Sequence, residues 1–86
     1  MRRDSFQAIA DPTRRKILEM LSDHPLSINA VAGNFGISRT AVYKHIKMLR
    51  ECGLVSIRPK GRERYCKAET NKLMEVYHWV DQYRRR

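Results

Sequence analysis

The chain has 86 residues, 42% of them hydrophobic and 31% charged, with 4 Gly and 3 Pro. That is the composition of one globular domain and excludes a disordered, collagen-like or low-complexity chain. A chain this short buries only about 60% of its unfolded surface when it folds alone, so a second subunit would help it and a deep enzymatic cleft is not expected. Eighteen Lys+Arg against nine Asp+Glu leave a net +9, which points to a polyanionic partner, nucleic acid ahead of a membrane surface.

Taken in chain order, Phe6, Ile9 and Ala10 outline a first helix over 5–10, capped by Asp4 or Ser5. Asp11-Pro12 reads as an N-cap followed by Pro at the first helical position. The second helix carries Ile17, Leu18 and Leu21 on one face and stops before His24-Pro25. Arg14-Arg15-Lys16 lie in its first turn, where positive charge opposes the helix dipole by several tenths of a kcal/mol. Two explanations stand side by side: a contact to a nucleic-acid phosphate, or an ion pair with an acid such as Asp11 or Glu19. Ser27 can cap a third helix with Ile28, Val31, Ala32 and Phe35 at helical spacing, and Gly36 then serves as the turn residue. Ser38 caps a fourth helix that runs to about Cys52 and is stopped by Gly53.

Beyond Gly53 the period drops to two. Leu54, Val55 and Ile57 alternate with Ser56 and Arg58, Pro59-Lys60-Gly61-Arg62 is a turn signal, and residues 64–67 return, giving a basic β-hairpin over 54–67. Thr70 or Asn71 can cap a last helix over 71–86 with Leu73, Val76, Tyr77, Val80 and Tyr83 on its apolar face. The chain is therefore expected to be mainly α with a small β-hairpin, a single domain over 1–86 of order α-α-α-α-β-β-α.

Helices three and four, separated by about three residues containing Gly36, carry the helix-turn-helix signature. On the fourth helix, Arg39, Thr40, Tyr43, Lys44, Lys47 and Arg50 fall within one arc of roughly 140°, and Val42, His45, Ile46, Leu49 and Cys52 fall within an opposite arc of roughly 120°. Such a helix packs by one side and offers the other to a major groove. Arg39 is the candidate for bidentate bonding to guanine, Thr40 and Tyr43 for a thymine methyl or a phosphate, and Lys44 and Lys47 for phosphates. Ser38 is the helix cap, and the amides beside it suit a phosphate. Arg58, Lys60, Arg62 and Arg64 ring the hairpin turn. Alternation would put Arg58, Lys60 and Arg62 on one side, where a basic tip suits the minor groove or the flanking backbone. A charged edge strand that resists aggregation is the plainer explanation of the same residues. Residues 38–67 hold nine basic and two acidic side chains, so +7 of the net charge sits in about a third of the chain.

Several classes fall away. No apolar run approaches the roughly 20 residues of a membrane span. Met1-Arg2-Arg3-Asp4 has basic residues but no apolar stretch after it, unlike a signal peptide, so a cytoplasmic protein is expected. Cys52 and Cys66 lack CxxC spacing and read as buried small hydrophobes. There is no Gly-rich phosphate loop, nucleophile set or carboxylate pair to support an enzyme.

Residues 6–18 (FQAIADPTRRKIL) resemble the opening of bacterial ArsR-type winged helix-turn-helix repressors. Ser38 to His45 (SRTAVYKH) and Leu49 to Val55 (LRECGLV) resemble their recognition helix and the entry to the wing. The likeness spans nearly the whole chain. It implies a homodimer that binds a palindromic operator in double-stranded DNA and represses transcription, autorepression included. It places the dimer contact on the outer helices, 5–10 and 71–86, through Phe6, Ile9, Leu73, Val76, Tyr77, Val80 and Tyr83. Trp79, Tyr77 and Tyr83 agree, being more apolar surface than one helix of a small monomer readily hides, although packing within the monomer would also use them. The third-helix cysteine motif of the metal-sensing members would fall near 29–34, where no Cys stands, and His45 matches the family's histidine as a partly packed residue. Glu75, His78 and Asp81 are the remaining metal candidates. The likeness is thus to the non-metal branch, with no cofactor, no small-molecule substrate and no membrane partner. A metal-responsive repressor and a winged-helix RNA or protein interaction module are the alternatives. The last helix often extends further in such relatives, whereas this chain ends at Arg84-Arg85-Arg86.

Overall fold

The computed structural model describes residues 4–84. The basic opening Met1–Arg3 and the last two residues of the expected final helix, Arg85 and Arg86, lie outside the described residues. In chain order the elements are α1 (Ser5–Ile9), α2 (Pro12–Asp23), β1 (Leu26–Ser27), α3 (Ile28–Ala32), α4 (Arg39–Glu51), β2 (Val55–Lys60), β3 (Glu63–Ala68), a 3₁₀ turn (Asn71–Leu73) and α5 (Met74–Arg84).

Local chemistry sets the helix starts. The Asp4 carboxylate accepts from Gln7 N, Asp11 from both Thr13 N and Arg14 N, Ser27 Oγ from Ala30 N and Ser38 Oγ from Ala41 N, so each of the first four helices has an orphan amide satisfied by its cap. Thr70 makes no such bond, and the chain enters α5 through a 3₁₀ turn instead. Helix α4 ends in a Schellman motif. Gly53 N donates to Arg50 O at 2.9 Å and Leu54 N to Leu49 O at 2.9 Å, with Gly53 at φ +80° and Leu49 and Leu54 both fully buried.

The apolar face of α2 (Ile17, Leu18, Leu21), Ile28 and Val31 of α3 and Val42, Ile46 and Leu49 of α4 close on Leu54, Val55 and Cys66 to form one core, joined by Ala8 and Cys52. Each large aliphatic buried there contributes about 1.5–3 kcal/mol. The sheet has order β1-β3-β2, all antiparallel. β1 is absent from the sequence reading. Leu26 and Ser27 pair with Cys66 and Tyr65, which fastens the start of the helix-turn-helix to the returning strand of the wing.

Two further boundaries differ from expectation. Helix α3 stops at Ala32 and its C-cap is Gly33, so the turn to α4 is longer than three residues; Gly36 has no positive φ, and Phe35 packs against the core from within the turn. The wing turn is Gly61-Arg62 alone, because Lys60 pairs with Glu63. Gly61 has φ +63° and Arg62 does not follow it, the pattern of a type II′ turn. Pro59 sits inside edge strand β2 opposite Arg64, one step from the closing pair, where the ladder asks no N–H of it.

Candidate nucleic-acid interface

Helix α4 is held by its caps and by buried Val42, Ile46 and Leu49, which fixes its outward face. Ser38, Arg39, Thr40, Lys44, Lys47 and Arg50 are all exposed on it. Tyr43 departs from the expected face. It is half-buried and packs against the core, so its ring forms a wall rather than a free reading group. That wall belongs to a cleft of about 400 Å³ lined by Arg39, Thr40 and Tyr43 of α4, by Arg62, Glu63 and Arg64 of the wing, and by Ser27, Ile28 and Asn29. Helix α4 and the wing tip therefore bound one cationic groove. Ser27, Asn29 and Glu63 were not site candidates in the sequence, where Ser27 was only a helix cap; the β1–β3 pairing sets β1 beside the returning strand of the wing.

The register divides the basic residues of the wing. Arg58 faces Tyr65 and Lys60 faces Glu63, so these four share one face with Lys67, opposite Ser56; Arg64 faces Pro59 on the other. Arg62 is in the turn, off the strand alternation that was to align it with Arg58 and Lys60. Lys60 Nζ lies 5.3 Å from the Tyr65 ring centroid, a cation–π contact that steadies the tip.

In the first turn of α2, Arg14 and Arg15 both reach back to α1. Arg14 Nε donates to Ala8 O at 2.8 Å and its Nη2 to Gln7 O at 3.0 Å, and Arg15 Nη1 donates to Ile9 O at 2.7 Å. They satisfy the last carbonyls of α1, so the charge that opposes one helix dipole complements the next. Lys16 lies 3.9 Å from Glu19 across an exposed turn, the expected ion pair. Desolvation pushes the Asp11 carboxyl up, but the amides of Arg14 and Thr13, with the nearby His45 and Arg14 side chains, outweigh it and hold the group below its ordinary 3.8.

Among the described residues, no three His, Cys, Asp or Glu side chains stand close enough to hold a metal ion. Of the candidate trio on the last helix, Glu75 accepts from Ser5 N at 3.2 Å. Cys52 and Cys66 are both buried, and burial pushes the Cys66 thiol up against the opposing field of Arg64, away from the reactive thiolate.

Helix α5 has no buried residue. Phe6, Tyr77, Val80 and Tyr83 are exposed, while Ile9, Leu73 and Val76 are half-buried, with Ile9 and Leu73 against the core. Met74 and Trp79 join the exposed set, Trp79 at 51%. The Trp79 ring meets Phe6 edge-on at 5.8 Å and Tyr83 at 5.1 Å. Trp79, counted in the sequence with Tyr77 and Tyr83 as surplus apolar surface, stands at i,i+4 to Tyr83 on this face. No helix is long and apolar enough to cross a membrane among the described residues.

Comparison with known proteins agrees with this architecture. Residues 11–56 match the model of the arsR family of bacterial regulatory proteins. The chain is 33% identical over 75 residues to the transcriptional repressor SdpR of Bacillus subtilis (strain 168), covering 87% of this chain and 83% of that one. It is 35% identical over 79 residues to the HTH-type transcriptional regulator Rv2034 of Mycobacterium tuberculosis, covering 92% and 74%. Among solved structures, an ArsR-like transcriptional regulator from Rhodococcus sp. RHA1 superposes with TM-score 0.81 at 32% identity, over 91% of this chain and 72% of that chain. The homodimeric winged helix-turn-helix DNA-binding domain of Mb0332 from Mycobacterium bovis shares the fold at TM-score 0.73 and 23% identity, over 91% and 72%. With a matched family model over half its length, and relatives a third identical over most of it, the chain belongs to the ArsR family of bacterial regulatory proteins.

Proposed function

We propose that the chain is a cytoplasmic, homodimeric transcriptional repressor that binds a palindromic operator in double-stranded DNA, placing α4 in the major groove and the wing on the minor groove or the backbone. The observation that carries this reading is the cationic groove in which the exposed polar face of α4 meets the wing tip. Arg39 and Thr40 stand in the first turn of α4, the part of a recognition helix that reaches base edges, and Lys44 and Lys47, further along, suit phosphate contacts. In this reading the chain binds DNA rather than catalysing a reaction. The exposed apolar face of α1 and α5 is the surface through which two copies pair.

Fluorescence anisotropy tests the reading, with the duplex upstream of the protein's own gene against a scrambled duplex of equal length. At least about tenfold tighter binding of the native duplex at about 150 mM salt is expected, since specific complexes exceed nonspecific ones by far more than that. Equal, weak binding of both would reduce the basic segment to a nonspecific electrostatic surface.

A further inference from the structure

Arg14 links α1 to α4. From α2, its guanidinium donates to Ala8 O and Gln7 O of α1, and its Nη1 lies 3.4 Å from His45 Nδ1 on α4. Helix α1 is in turn tied to the α5 end of the chain. Ser5, fully buried, donates from its amide to Glu75 Oε1 at 3.2 Å and from its hydroxyl to Lys72 O at 2.8 Å, and Phe6 stacks edge-on against Trp79. The opposite side of α4 carries the exposed basic residues. A guanidinium has donors only and holds them in a rigid plane, so one side chain fixes α1 and α4 at a set angle in a way a lysine does not. The contact also requires His45 to be the neutral Nε2–H tautomer with Nδ1 as acceptor. The neighbouring Arg15 is a built-in comparison: it caps the same end of α1 through Ile9 O, from the exposed side.

We propose that Arg14, acting through His45, is a positioning residue that locks the reading helix α4 to the α1–α5 layer, so that pairing of two copies dictates the spacing of the two reading helices. This rests on the DNA reading above. A dimer reads half-site spacing only if its reading helices are fixed relative to its pairing surface. Loosening that link would spare the contacts of one half-site and weaken the simultaneous fit of two.

The test begins with the palindrome that the wild-type protein selects from a random duplex pool. Affinities are then measured for that palindrome, for variants with one base pair added or removed between half-sites, and for a single half-site. Arg14→Gln is expected to lose about tenfold on the palindrome and to flatten the spacing preference, within the usual range of coupling between sites, while half-site affinity stays within about twofold. Arg15→Gln should keep the spacing preference. His45→Leu should reproduce the Arg14→Gln pattern with the α1 cap intact, and His45→Gln, which restores an acceptor, should recover it; these two keep the test open if Arg14→Gln fails to fold. Long-range proton–nitrogen spectra should show His45 Nδ1 unprotonated in the wild type at neutral pH. Equal effects of Arg14→Gln and Arg15→Gln, or parallel losses on half-site and palindrome, would overturn the role. A wild-type protein that selects no palindrome would overturn the DNA reading itself, and this role with it.

Discussion

Asp11 shows how one side chain does two jobs. Its carboxylate takes two amides at the start of α2, at 2.8 and 3.1 Å, in the field of His45 and Arg14. Asp11→Ala should lower stability by about 0.5–2 kcal/mol, the usual loss of a cap. Because the folded carboxyl titrates below its ordinary value, its contribution is complete above that value and fades as pH falls through the lowered one. Urea unfolding from pH 7 down to pH 3 should therefore show the wild type losing more stability than Asp11→Ala on the acid limb. On the proposed DNA reading, Arg39 and Lys47 are expected to differ in role. Arg39→Ala should cost about 1–3 kcal/mol and relax preference at one base pair, whereas Lys47→Ala should weaken all sequences alike and reduce the salt slope by about one unit. Equal losses on operator and random duplex for Arg39→Ala would take the base-reading role away from it. The Arg14-Arg15 pair shows the limit of reading residues alone. Their conflict with the dipole of α2 was visible in the sequence, but the carbonyls they satisfy belong to α1, and only the turn between the helices brings those within reach.

At the scale of the element, what is local in sequence was legible and what is paired at a distance was not. The caps at Asp11, Ser27 and Ser38 and the stop at Gly53 follow from groups within a few residues of one another. The end of α3 misled because Phe35 continues the apolar period while already in the turn, packing on the same core from a different backbone. β1 was hidden because two residues carry no period, and they become a strand only by pairing with Cys66 and Tyr65 far along the chain. The same non-local pairing assigns the wing its faces and sends Arg64 to the side opposite Arg58 and Lys60. Among these junctions Gly53 is the most exacting, since it hands α4 to β2 at φ +80° and a Cβ there would meet the Lys72 side chain at 2.7 Å. Gly53→Ala should cost about 1–3 kcal/mol through the left-handed backbone alone, because the lysine tip can swing aside. Thermal unfolding checks this, and an unchanged melting temperature would show that α4 ends without needing that conformation.

The whole molecule is longer than its size requires. A chain of this length is expected to have a radius of gyration of about 12 Å. It has 13.7 Å, with a long axis of 49 Å, and α5 contributes no buried residue. The exposed aromatic run Phe6–Trp79–Tyr83 is thus left for another surface to cover, and Trp at the centre of such a patch is the residue type that dominates pairing energy. Trp79→Glu should weaken self-association by about 2 kcal/mol or more, roughly thirtyfold in the dissociation constant, measured by sedimentation equilibrium. With Trp79 half exposed, the core stays intact and the variant should melt within a few degrees of the wild type. The consequence should also reach the DNA. A dimer neutralising six to eight phosphates gives a log–log salt slope of about −5 to −7, and a single copy holding one half-site should give about half of that. If Trp79→Glu is monomeric yet keeps the full slope, the α1–α5 face does not hold the two reading helices on one operator. If slope and self-association fall together, a single surface accounts for both the pairing of the copies and the number of phosphates they grip.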